Sequence, residues 1–242
     1  MDAQRIALDR AENLAIAVPY ARPLHRRSLG LERQHGYSGA PIQARRFKRE
    51  KKVESTDPSE IRAAVYAQLA AAVAERKSAL RTPTLATVGR DGRPRARTVV
   101  LRSVDSNGHR VGFHTDARSD KFAELRADPR AALHFYDAAA KTQIRIEGTA
   151  TLHCRDAIAK AAWQTARRSA RRTYASEPAP GAALDAPDGA AFAADDAASF
   201  ERFAVAILQI ETLDWLYLRA AGHRRLQFAR AADALVPRWL AP

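Results

Sequence analysis

Arg97-Thr98-Val99-Val100-Leu101-Arg102, followed by His114-Thr115-Asp116-Ala117-Arg118-Ser119-Asp120-Lys121, is the stretch that decides the fold. The first segment is a β-branched strand with an arginine at each end. The second closes a strand and opens a helix on Thr, Ser and Lys. A strand end, a helix N-terminus and fixed cations together suit a phosphate monoester. Side chains alternate along the first segment, so Arg95, Arg97, Val99 and Leu101 share one face while Thr98, Val100 and Arg102 share the other. By pattern alone this is either an edge strand exposing its arginines or the wall of an anion site.

Outward from this stretch, strands and hairpins recur. Asp57-Pro58-Ser59-Glu60 has the form of a capping box with Pro at N1, and Ile61, Val65, Leu69 and Val73 follow at helical spacing. The spacing predicts a helix to about Leu80. Strands are predicted over 84–88, 95–104, 111–114, 131–136 and 143–152. Turns at Arg90-Asp91-Gly92-Arg93 and Ser106-Asn107-Gly108-His109 join the first three. Ser119 is the expected N-cap of a helix over 120–127, stopped at Asp128-Pro129. Gly148 marks a bulge or a close approach of backbone to ligand. A helix is expected over 156–172, a mobile loop over 177–198, a strand over 203–210, and a last hairpin from 214–218 to 225–229. Hairpin-linked strands with inserted helices give an α+β, antiparallel barrel.

Composition sets limits. The single cysteine, Cys154, excludes a disulfide framework. No apolar run reaches the ~20 residues of a membrane helix. The segment after Arg26-Arg27 is too polar for an export signal, so the expected location is cytoplasmic. The net charge is +13, and residues 1–52 carry twelve Lys and Arg against five Asp and Glu. We read residues 1–55 as a basic, flexible extension with at most a short helix near 3–16, and 56–242 as the folded domain. Nucleic acid is not the expected partner. The histidines and Cys154 show no zinc spacing. No P-loop or dinucleotide loop and no serine elbow is present.

The order and spacing of these motifs resemble the pyridoxamine 5'-phosphate oxidase family, in its broad FMN-binding group rather than as the vitamin oxidase itself. That resemblance implies an antiparallel split β-barrel of the FMN-binding type with peripheral helices. It also implies a homodimer with FMN at the subunit interface and a cytoplasmic flavoprotein. Carried over residue by residue, Arg97, Thr115, Ser119 and Lys121 hold the FMN phosphate. Thr98, Val99, Val100 and Leu101 line the cofactor, and His114 matches the family's Tyr. Gln143 reaches the flavin ring. Trp215 and Arg225 match a Trp and an Arg-Leu-His motif whose His is Gln227 here. The family's Arg before the Lys is Asp120 here, with Arg118 the nearest substitute.

Arg102 stands at a substrate-phosphate lysine, which replaces a point donor by a planar fork. Trp163, Arg167 and Arg171, at i, i+4, i+8, match the family's substrate-binding Tyr, Arg and Ser. Outside the resemblance, Ser119 and Lys121 read as an ordinary cap and a solvent-facing lysine. Likewise Trp163, Arg167 and Arg171 read as a basic helix face, and Trp215 as core. The implied activity is hydride transfer between a small substrate, for which an anion is one candidate, and the flavin, with no evident general base. The alternatives are a related reductase using nicotinamide or deazaflavin, and a non-enzymatic flavin- or haem-binding protein.

Overall fold

The computed structural model describes residues 54–187, 189–192 and 196–242. The N-terminal extension over 1–53 and its helix near 3–16 lie outside the described residues.

The chain opens on helix α1, Pro58–Ala74. Asp57 caps it by accepting from the Ser59 N–H at 2.8 Å, while Glu60 turns back to the Ser55 hydroxyl at 2.7 Å. Ile61, Val65, Leu69 and Ala72 recur on the buried face. The helix stops six residues before the predicted Leu80. Glu75 adopts an extended conformation, and Arg81, on the short 3-10 turn Ala79–Arg81, donates to the Ala72 and Val73 carbonyls. A side chain thus takes carbonyls that a further turn would have used.

Strand β1 is Thr84–Val88, as expected. The predicted strand over 95–104 is two strands, β2 (Pro94–Thr98) and β3 (Leu101–Asp105). The chain breaks at Val99–Val100 because β2 pairs with β1 whereas β3 pairs with β4, Arg110–Asp116. Helix α2 is Asp120–Ala127, followed by β5 (Arg130–Asp137) and β6 (Thr142–Cys154). The helix predicted over 156–172 breaks at Ala166–Arg167, both extended, into α3 (Ala157–Thr165) and α4 (Arg168–Arg171). Helix α5, Asp196–Arg202, leads into β7, Phe203–Tyr217. Here the two strands predicted over 203–210 and 214–218 are one. β8 is Arg224–Ala231, and an unpredicted ninth strand, β9 (Ala234–Leu240), pairs only with β8. Pro237 is tolerated in β9 because this is an edge strand.

All pairings are antiparallel, in the order β2-β1-β5-β6-β7-β4-β3, with β8 and β9 branching from β7. β7 is the spine. Its first half pairs with β4 and its second half with β8, while β6 runs along both. The sheet divides around β7 and does not close, which is the split form of an antiparallel barrel, and the class is α+β. Leu85, Leu133, Phe135, Ile144, Ile146, Leu213, Trp215 and Phe228 fill its interior with α1. The β6–β7 register shifts at Glu147/Gly148. A Cβ on Gly148 would lie 1.9 Å from the Gln209 carbonyl oxygen, so this glycine serves strand packing.

Candidate functional site

Four predicted residues gather around the N-terminus of α2. The Thr115 and Ser119 hydroxyls, both buried, lie 3.0 Å apart where β4 ends. Ser119 occupies the N-cap position but makes no side-chain cap bond; its hydroxyl donates to the Asp116 carbonyl at 2.7 Å. The Ser119 side chain therefore does not cap the first turn of α2; its carbonyl takes the Phe122 and Ala123 N–H groups, and the Asp120 and Lys121 N–H groups are the ones suited to an anion. Each hydroxyl carries one proton, so donation to a ligand requires it to rotate from its present partner.

Arg97 reaches the same place from β2. It donates to Glu124 Oε2 at 2.6 Å and to the Thr87 hydroxyl, which itself donates to Glu124 at 2.6 Å. Glu124 is buried. The triad ties β1, β2 and α2 together and fixes the guanidinium plane with two of its five N–H donors. Lys121 stands beside Arg97. Burial, then the Arg97 charge, lowers its pKa, against the opposing pull of Asp116, Glu124 and Asp120. Two cations pressed together in a half-buried place are relieved by an arriving anion.

Arg118 does not substitute for the cation lost at Asp120. It binds Asp116 through two nitrogens, at 2.7 and 3.0 Å, and donates to the Ser176 and Glu177 carbonyls. Its work is to pin the loop after α4.

The remaining residues fall in three other places. Thr98 is exposed, Val100 is half-buried, and Val99 and Leu101 enter the core. Gln143 and Arg225 lie on the outer sheet face. Arg225 is held there by buried Asp214 at 2.9 Å, which Arg145 also approaches at 3.5 Å. Trp215 points the other way and is 0% exposed in the core, its Nε1 without a partner. The core alternative open at the sequence level is the one Trp215 takes.

Trp163 sits in a smaller core with Phe200, Phe203 and Tyr174. The break in the helix removes the single face expected for Trp163, Arg167 and Arg171. Arg171 stacks over Trp163 at 5.2 Å and donates to the Ala166 and Gln164 carbonyls, while Arg167 is exposed. Arg102 lies near His114 and Tyr174. Burial, aided by Arg102, pushes the His114 pKa down to about 3, so its ring is neutral at neutral pH.

Glu124, Thr87 and Asp214 escaped sequence reasoning. Their signal was weak: a carboxylate three residues after Lys121, a Thr in an ordinary strand, and a lone acid among apolar strand residues. Among the described residues, no group of three or more His, Cys, Asp or Glu could hold a metal ion, and no helix is long and apolar enough to cross a membrane.

Comparison with known proteins fits this geometry. The family model described as pyridoxamine 5'-phosphate oxidase matches residues 69–213, more than half of the chain. A pyridoxine/pyridoxamine 5'-phosphate oxidase from Thermosynechococcus vestitus is 54% identical over 65 residues, 27% of this chain and 30% of the relative. One from Burkholderia lata is 51% identical over 67 residues, 28% of this chain and 30% of the relative. The matches thus span about a third of the length of these curated relatives. Among solved structures, a pyridoxamine 5'-phosphate oxidase-related, FMN-binding protein from Nostoc punctiforme superposes with a TM-score of 0.65 at 27% identity, covering 78% of this chain and 100% of that one. PhzG from Burkholderia lata, in complex with tetrahydrophenazine-1-carboxylic acid, gives a TM-score of 0.62 at 23% identity, covering 79% and 100%, and speaks for the fold alone.

Proposed function

Because this chain belongs to the pyridoxamine 5'-phosphate oxidase family, we propose that it is an FMN-dependent oxidoreductase acting on a small anionic substrate. The observation that carries this reading is the convergence of Arg97, Thr115, Ser119 and Lys121 on the N-terminus of α2. Lys121 and Arg97 supply charge, the two hydroxyls supply donors once rotated, and the α2 backbone supplies N–H groups. The FMN-binding character of the Nostoc punctiforme relative supports the cofactor.

Bound flavin would supply the hydride chemistry, leaving the protein to bind and orient. Arg97, held by Glu124 and Thr87, anchors the phosphate end with little loss of side-chain freedom. Gln143 and Arg225, together on the outer sheet face, are the candidates to meet the ring across a homodimer interface. His114 is neutral near neutral pH, so it brings no positive charge to the site and packs beside Phe203, at 4.8 Å between ring centres. The folded domain in this reading is residues 56–242, with the basic segment before it as an appendage.

The test is titration of the apo-protein with FMN, followed by flavin fluorescence. Saturable quenching near one FMN per chain, weakened in Lys121→Ala and Arg97→Ala, is the expected result. Equal affinity for FMN and riboflavin would refute the phosphate site. Oxygen uptake against consumption of reduced nicotinamide then separates an oxidase from a reductase.

A further inference from the structure

A cleft of about 670 Å³ opens where α1 packs against the β3–β4 hairpin. It lies at the far end of β4 from Thr115 and Ser119, roughly 20 Å along the strand. Volumes of this order suit small molecules. The floor is the outward face of α1, where Ala63, Ala67 and Ala70 are all exposed, and Val104 of β3 closes one side.

The polar wall of the cleft is built from Arg62, Tyr66 and His109. Arg62 and Tyr66 stand one turn apart on α1. The Tyr66 ring is 6% exposed, stacks on His109 at 5.9 Å, and meets its Nδ1 at 2.9 Å through the hydroxyl. His109 has a φ of +50°, which a residue other than glycine keeps only when its surroundings over-determine it. Here β7 does so, because the Ile210 N–H and the Gln209 amide donate to the His109 carbonyl at 2.8 and 3.0 Å. The backbone is thus held in the conformation that sets the ring against Tyr66. Burial pushes the Tyr66 pKa up to about 12, so the phenol keeps its proton. Among the described residues Nδ1 is the only acceptor for that proton, which places the imidazole proton on Nε2. Burial and the charges of Arg230 and Arg62 hold the His109 pKa below 6.5, against the pull of Asp105. The ring is therefore a neutral N–H donor.

The cleft also lacks counter-charge. Arg62 lies over the Phe228 ring at 5.9 Å and spends a single N–H on the Leu235 carbonyl, and among the described residues it pairs with no acid. Arg230 donates to the Ile210 carbonyl and likewise holds no acid there. The nearby carboxylate, Asp105, is taken by Arg110 at 2.6 Å and by the Asn107 and Gly108 N–H groups. We infer that the cleft binds a small amphipathic carboxylic acid, with Arg62 and the His109 Nε2–H on the carboxylate and an acyl body along the alanines. From Arg62 to Ala70 that floor runs about 12 Å. A phosphate dianion fits less well, because its remaining oxygens would face Val104 and alanine methyls. The site does not rest on the flavin reading.

Octanoate, octanamide and acetate are the probes, titrated calorimetrically into the full chain with and without saturating FMN. Octanoate should bind at least about tenfold more tightly than octanamide, which lacks the charge, and than acetate, which lacks the body. FMN should leave its affinity unchanged. Arg62→Gln and Ala67→Glu should each weaken octanoate about tenfold or more, the first by loss of a charge-assisted contact and the second by placing a like charge in the cleft. Ala138→Glu, in the exposed β5–β6 turn, adds the same charge elsewhere and should not. Ala67 is an exposed helix position that tolerates Glu, so this variant keeps the test decisive if Arg62→Gln fails to fold. Equal affinity for octanoate and either control probe, displacement by FMN, or indifference to Ala67→Glu would overturn the proposal.

Discussion

Arg97→Ala separates binding from stability, because Arg97 has two jobs in one side chain. Its guanidinium donates to Glu124 at 2.6 Å, and the two side chains are only 23% and 7% exposed. Removing Arg97 leaves a buried carboxylate with only the Thr87 hydroxyl as partner. Breaking a buried pair from one side costs about 3–5 kcal/mol. For a domain of this size that lowers Tm by roughly 6–20 °C. Loss of the phosphate contact is a separate cost of about 1.5–3 kcal/mol, or ~10- to 150-fold in FMN affinity. The double variant Arg97→Ala/Glu124→Gln removes the stranded charge as well. It should regain most of the stability and none of the affinity. Urea unfolding and flavin fluorescence titration, run on the same samples, read the two costs apart. If the double variant regains FMN affinity along with stability, Arg97 acts only through folding and the phosphate assignment is wrong.

Three further outcomes are expected. His114 is neutral when folded, with a pKa of about 3 against an ordinary 6.5. Between those values the unfolded chain binds the extra proton, so stability falls as pH drops below 6.5, by up to about 1.4 kcal/mol per pH unit from this group. Unfolding of His114→Asn across pH 4–7 should show a shallower slope, and an unchanged slope would refute the assignment. Gly148→Ala places a methyl against the Gln209 backbone, which cannot yield, and should cost about 3 kcal/mol in denaturant unfolding; a variant within about 0.5 kcal/mol of the parent would contradict the close approach. Asp214→Asn takes the carboxylate from Arg225 and leaves Arg145 with Glu147, 3.0 Å away, as its acid on the outer face. It should destabilise by about 1–3 kcal/mol, less at high salt because both arginines are partly exposed, and a salt-independent change would point to packing instead.

Local chemistry was legible where a single rule decides it. Asp57-Pro58 started α1, Ser119 and Asp128-Pro129 bounded α2, and β1 fell at the predicted residues 84–88. The sequence misled where tertiary partners decide. Nothing in Thr98–Leu101 says that pairing changes from β1 to β4 there, and nothing local separates one long β7 from two short strands. The α1 end was missed because Arg81, seven residues beyond, takes its carbonyls. At the site, residue types were readable and their engagements were not. Arg118 looked available and is bound to Asp116, while the Glu124 that holds Arg97 drew no notice.

The position of β7 in the chain bears on how the molecule is made. Both halves of the sheet join through residues 203–217, near the C-terminus, and β4 must find a partner some ninety residues later in sequence. Long-range antiparallel pairing of this kind slows folding. During synthesis β4 and β6 leave the ribosome well before the strand they share, with hydrogen-bonding edges open to any other extended chain. A truncation before Phe203 should therefore aggregate rather than persist as a smaller sheet.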